Sequence, residues 1–395
     1  MLNTKFSPWP SFTQEEADAV SRVLLSNKVN YWTGSECREF EKEFATWAGC
    51  LHAVALSNGT LALDVALKAL SVGAGDEVIT TPRTFLASAS SIVTAGATPV
   101  FADVDLNSQA ITAKSIEAVL TSKTKAVIVV HLAGMPAEMD AIMALSEKHG
   151  FYVIEDCAQA HGAKYKGRSV GTIGHIGAWS FCQDKIMTTG GEGGMVTTND
   201  KDLWAKMWSY KDHGKSFDAI YSREHPPGFR WLHESFGTNW RMTELQAVIG
   251  RIQLTRMSQW TSRRRANAAQ IEEAVKDLPV VRRVEVPEYS EHAEYKHYLF
   301  VRPENLADGW TRDRIVETIV ERGVPAYQGS CSEVYLEKAF DNTPWRPKER
   351  LANAVELGET SLMFLVHPTL TDDEINFSCK VIRNVLLKAQ NISER

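Results

Sequence analysis

KAVIVVHLAGMPAEMDAIMALSEKHGFYVIED, residues 125–156, decides the fold. Its ends, KAVIVVH (125–131) and FYVIED (151–156), are near-continuous apolar runs, which suits strands buried on both faces of a sheet. The segment between them, PAEMDAIMALSEKHG, reads as a crossover helix that stops at Gly150, a C-cap signal. A strand, a helix and a second strand in this order predict a parallel pair.

The alternation extends outward. HAVAL (52–56), DEVIT (76–80) and TPVFADV (98–104) precede the unit as strand candidates, and GAWSF and GMVTT follow it. TLALDVALKAL and TFLASASSIVTAG supply further crossover helices, the second ending at Gly96. The expected fold is α/β, with a three-layer αβα domain around a mostly parallel sheet. After Asn239 the texture changes. MTELQAVIGRIQLTRMSQWTSRRRANAAQIEEAV is one long helical stretch, and its Arg263–Arg265 run reads more commonly as a solvated face than as a phosphate site. HYLFVRP and TRDRIVETIVERG then suggest a smaller α+β unit. The expected division is a large domain with an N-terminal arm over residues 1–255, and a small C-terminal domain over residues 256–395 joined by the long helix.

With 44% hydrophobic and 23% charged residues among 395, the chain has an ordinary globular composition. A formal net charge of −6 offers no electrostatic footprint for nucleic acid or an anionic membrane. No apolar run approaches the length of a transmembrane helix, and MLNTKFSPWPSFTQEE lacks the pattern of a signal peptide. The six cysteines are scattered, with no C-x-x-C, so no metal centre is expected and a reducing cytoplasm is.

Several strand ends carry candidate chemistry. In SNGTLALDVALKAL (57–70), Asn58, Gly59 and Thr60 open a helix whose free N–H groups and dipole suit a phosphate, although a plain N-cap and tight turn explains them too. Asp156 ends a buried strand, where open α/β sheets bind ligands. A carboxylate there needs a cation or donors, and the protonated ring nitrogen of a pyridine cofactor is one such partner; the alternative is a cap on the next turn. Phe85 in TTPRTFLAS is either a stacking surface for a flat ring or core. WSFCQDKIMTTGGEGGMV (179–196) holds Lys185 before a glycine cluster, the reverse of P-loop order. Lys185 could be a surface charge, a phosphate ligand or a Schiff-base nucleophile, while Ser180 could add a hydroxyl to a phosphate. Asn239 and Arg241 in GTNWRMTELQAVIG (237–250) read as polar ligands or as an N-cap region.

In order and spacing these strings resemble the DegT/DnrJ/EryC1/StrS family, pyridoxal-phosphate (PLP)-dependent sugar aminotransferases of fold type I. The resemblance runs from about residue 10 to the C-terminus. It implies that Lys185 forms the Schiff base to the cofactor and shuttles the proton. It also implies that Asp156 pairs with the pyridinium nitrogen, that Gln159 lies by the ring and its phenolic oxygen, and that Phe85 stacks on the ring. The Asn58–Thr60 turn and Ser180 hold the phosphate, with Asn239 reaching in from a neighbouring subunit of a homodimer. The substrates implied are glutamate, released as 2-oxoglutarate, and a nucleotide-linked keto-sugar. Tyr31, His213 and His297 are candidate substrate contacts whose commoner reading is structural. Three departures stand out: Asp184 in place of the usual Ser, Thr or Asn, one extra glycine in TTGGEGG, and no histidine pattern in AYQGSCSEVYLEKAF (326–340). Lys185 argues against the family's dehydratases, and the scattered cysteines argue against its iron–sulfur members. A lyase on a sulfur amino acid and a non-catalytic regulatory protein that keeps the cofactor pocket are the rival readings.

Overall fold

The computed structural model describes residues 6–391 apart from 226 and 229. Seven strands, His52–Leu56, Glu77–Thr80, Thr98–Phe101, Thr124–Val130, Tyr152–Asp156, Ile176–Ser180 and Gly194–Thr198, are numbered β1 to β7. They form one sheet ordered β1-β7-β6-β5-β4-β2-β3. All are parallel except β7, which runs against β1 and β6. The apolar runs are continuous because both faces are covered. On β4, Ala126, Ile128 and Val130 join the core on one side of the sheet, and Val127 and Val129 join the core on the other. The helices end where glycine takes the left-handed conformation, at Gly96 (φ +82) and Gly150 (φ +75).

The strand expected over 98–104 stops at Phe101. Asp103 instead accepts the backbone N–H groups of Asn353 at 3.0 Å and Ala354 at 3.1 Å, capping the helix Ala352–Thr360. That partner lies some 250 residues away, so the strand pattern carried no sign of it.

The long helix spans Glu244–Val275 and starts with a capping box between Thr243 and Gln246. It leads to a second, antiparallel sheet of Val281–Arg283, His297–Val301, Ala326–Tyr327 and Ser361–Phe364 (β8 to β11), ordered β8-β9-β11-β10. The arginine run is not a solvated face. Arg263 donates to Leu370 O and Asp372, Arg264 is 1% exposed, and Arg265 donates to His292 O and Glu291. The three tie the long helix to the segments that follow it. The N-terminal arm crosses to the same region, where Ser7 N donates to Glu374 at 2.6 Å and the Trp9 ring packs on Trp260 and His367. Among the described residues, no helix is long and apolar enough to cross a membrane.

Candidate active site

The turns after β2, β5 and β6 open into one cleft of about 900 Å³, which they line through Phe85, Gln159 and Lys185. Tyr295, Lys296 and His367, with Trp9 of the N-terminal arm, line it as well. Such a cleft beyond the carboxyl ends of parallel strands is where open α/β sheets bind ligands.

Asp156, the last residue of β5 and three residues before Gln159 in the cleft lining, is 7% exposed. Its carboxylate accepts Ser88 Oγ at 2.8 Å and Ala158 N at 3.1 Å, and no cation lies within ion-pair distance among the described residues. Burial pushes its pKa above the ordinary carboxylate value, against the pull of those two donors and of Lys185 and His131. An anion held this way favours a cationic ligand.

Lys185 sits half-buried on the loop after β6, with its amine 5.3 Å from the centre of the Tyr295 ring. Its backbone carbonyl accepts Trp9 Nε1 at 2.8 Å, so the N-terminal arm holds this loop in place. Asp184, the departure beside the lysine, accepts the Tyr295 hydroxyl at 2.5 Å. Desolvation opposes its charge, but Lys185, that hydroxyl and Lys296 outweigh it and hold its carboxyl below the ordinary range. Lys296 is itself pushed down to about 8 by burial and by Arg264 and Lys185, against the pull of Asp184. The extra glycine also finds a use: Gly190 and Gly191 take φ of +86 and +127, a conformation that L side chains rarely adopt.

The turn after β1 forms a cradle. A Cβ on Gly59 would lie 2.4 Å from Ser180 Cβ, so only glycine lets the start of helix Gly59–Ala69 approach β6 this closely. The first-turn N–H groups and the Ser180 hydroxyl therefore meet, and they could hold an anion. The Asn58 side chain is occupied as the N-cap, accepting Leu61 N at 3.0 Å, as the simpler local reading had it. Phe85 is 71% exposed beside the cleft, so it is no core residue. The Gln159 carbonyl accepts Ala133 N at 2.8 Å, leaving its amide nitrogen for a ligand.

Other candidates lie elsewhere. Tyr31 is 2% exposed, with its hydroxyl between Glu41 and Trp208 Nε1 at 3.1 Å each. His297 is buried between Glu272 and Glu294. Both are committed to internal networks and lie outside the cleft lining, in keeping with the structural alternative for each. His213 is exposed at φ +60, with its N–H on Thr238 O, and also lies outside the cleft lining. Arg241 is engaged by Asp212 at 2.5 Å, and Asn239 is exposed next to it in sequence.

The DegT/DnrJ/EryC1/StrS aminotransferase family matches residues 10–383. The chain belongs to that family. An aminotransferase from Psychrobacter cryohalolentis has the same fold, with a TM-score of 0.96 and 65% identity over 98% of this chain and 100% of that one. The Bacillus subtilis spore coat polysaccharide biosynthesis protein SpsC is 34% identical over 95% of this chain and 96% of its own. GDP-perosamine synthase of Escherichia coli O157:H7 is 34% identical over 94% and 96%. This aminotransferase has the fold-type I architecture and depends on PLP. The residues fit that cofactor: Asp156 lacks a cation, the Gly59–Ser180 cradle suits a phosphate, Phe85 offers an open ring face and Lys185 offers a primary amine.

Residues outside the sequence argument complete the site. Ser88 lies three residues beyond Phe85 in the same quoted string, on a helix where Ser90, Ser91 and Thr94 also carry hydroxyls, so nothing local singled it out. Tyr295, Lys296, His367 and Trp9 come from distant segments and carried no local signal.

Proposed function

We propose that this aminotransferase moves an amino group from glutamate to the C3 or C4 ketone of a nucleotide-activated sugar. The observation that carries this reading is a buried carboxylate lacking a cation at the end of β5, near enough to the Lys185 amine of the cleft to feel its charge. When bound, PLP supplies an electron sink that stabilises negative charge developing at the substrate carbon. Asp156 keeps the ring nitrogen protonated. Lys185 would hold the cofactor through Nζ, and the same amine would take and return the proton at the substrate carbon. Gly59, Thr60 and Ser180 would hold the phosphate, Phe85 would cover the ring, and the amide of Gln159 would be free to donate to the phenolic oxygen.

The relatives named for spore coat polysaccharide and perosamine support a sugar acceptor. The product then enters O-antigen, capsule or a glycosylated secondary metabolite. We read the active unit as a cytoplasmic homodimer with shared sites, Asn239 reaching the partner's phosphate. Trp231 at 83% and Phe236 at 100% exposure, beside Asn239 in sequence, support a covered face. The described cysteines are all free thiols, which suits a reducing compartment.

The test is Lys185→Ala. The wild-type protein should show a visible absorbance that borohydride reduction removes, and should regain it when its amine form meets a suitable nucleotide keto-sugar. The variant should lose the reducible band and at least ~10³-fold of turnover. Retention of both by the variant contradicts the assignment. Turnover of a sulfur amino acid, with no response to any keto-sugar, would favour the lyase reading instead.

A further inference from the structure

Beside the Lys185 amine, which the cofactor uses, the cleft carries positive charge that the cofactor does not use. Lys185 and Lys296 lie over the same tyrosine, their amines 5.3 and 4.8 Å from the centre of the Tyr295 ring. Arg264 is buried behind that ring, donating to Tyr295 O at 3.2 Å and stacking 4.9 Å from the Trp9 ring centre. Its Nε and Nη2 have no hydrogen-bond partner among the described residues. The carboxylate in this part of the cleft, Asp184, already accepts the Tyr295 hydroxyl. Lys296 is half-buried, lines the cleft, and makes no ion pair among the described residues. His367 beside it adds no charge, because burial and then Arg264 and Lys296 push its pKa down to about 3. Cations gathered in a partly desolvated wall are costly unless an anion arrives to meet them.

We propose that Lys296, backed by Arg264, binds a carboxylate of the amino donor. This rests on the aminotransferase reading above. The two lysines share one ring, so an anion on Lys296 lies in the same part of the cleft as the amine at which nitrogen is exchanged. In an α-amino acid the carboxylates stand a few bonds from that nitrogen. In a nucleotide sugar aminated at C3 or C4, the phosphates stand further off, beyond the glycosidic oxygen. The donor is therefore the substrate whose charge stays closest to the exchanged nitrogen. Asp184 then acts as a positioning residue: through the Tyr295 hydroxyl it fixes the ring on which both amines rest.

The experiment compares holoenzyme carrying Lys296→Met or Lys296→Arg with the wild type. Two quantities are read: the dissociation constant of 2-oxoglutarate for the resting enzyme by calorimetry, and the half-saturation for glutamate in the spectral half-reaction. Losing a charge-assisted contact should weaken both by about 10- to 100-fold in the methionine variant. The arginine variant should recover to within a few-fold, and the half-saturation for the nucleotide sugar should stay level in both. Unchanged 2-oxoglutarate binding in Lys296→Met, or a change confined to the nucleotide sugar, overturns the assignment. A wild-type protein without the borohydride-sensitive band would instead sink the aminotransferase reading, so the two failures are distinct.

Discussion

Glu155 and Asp156 are neighbours on β5, both buried, and they face opposite sides of the sheet with opposite fates. Glu155 accepts His131 Nε2 at 2.9 Å and the backbone N–H groups of Gly171, Ile173 and Gly174 at 2.8, 2.8 and 2.6 Å. His131 Nδ1 accepts Ala137 N at 3.1 Å, so the proton donated to Glu155 is on Nε2. Burial works against the Glu155 charge, yet His131 and these donors overcome it and its pKa falls below the ordinary value. Asp156 has two donors, and burial prevails. The difference separates structure from function. A carboxylate with a full set of partners closes a core, and one left short is poised for a cationic ligand.

The comparison can be broken at either residue. Glu155→Gln sets an amide N–H against a ring of donors and should cost about 3–5 kcal/mol, read as a lower urea midpoint. Asp156→Asn should unfold at nearly the wild-type urea concentration and lose about 10²–10³-fold in turnover. If the two variants exchanged these phenotypes, the division into structural and functional carboxylates would be wrong.

His297 extends the comparison to a cation. Burial disfavours its charge, but Glu272 and Glu294 raise its pKa to about 9. The folded value lies above the unfolded one. Its contribution is therefore complete below pH about 6.5 and is lost as pH rises through about 9. With Glu272, Glu294 and His292 facing it, the loss should be on the order of 3 kcal/mol between pH 6 and 9.5. Urea titrations of the wild type should show that slope, and His297→Gln should flatten it. Smallest of the set, Gly59→Ala should weaken PLP affinity by about 1–3 kcal/mol, because the new methyl meets Ser180 at 2.4 Å. Equilibrium dialysis against the cofactor reads this directly, and an unchanged affinity would remove the cradle from the site.

Much of the fold was legible because its signals are local. Unbroken apolar runs marked strands covered on both faces, and Gly96 and Gly150 marked helix ends. Lys185 stood out for following a buried strand, and Asp156 for ending one. Reading failed where the deciding partner was remote. The Arg263–Arg265 run reads as a solvated face until residues 291–295 and 370–372 fold over it.

The sequence by itself determined the order of strands and helices, the residues that end the parallel strands, and the family to which they belong. Those depend on periodicity and on chemistry carried by contiguous strings. Tertiary structure alone decided which buried charges are satisfied, and that Asp184, Tyr295 and Lys296 form one wall of the cleft. Charge satisfaction is a sum over neighbours in space, and the neighbours of Asp156 and Lys185 come from segments as far apart as Trp9, Ser88 and Tyr295.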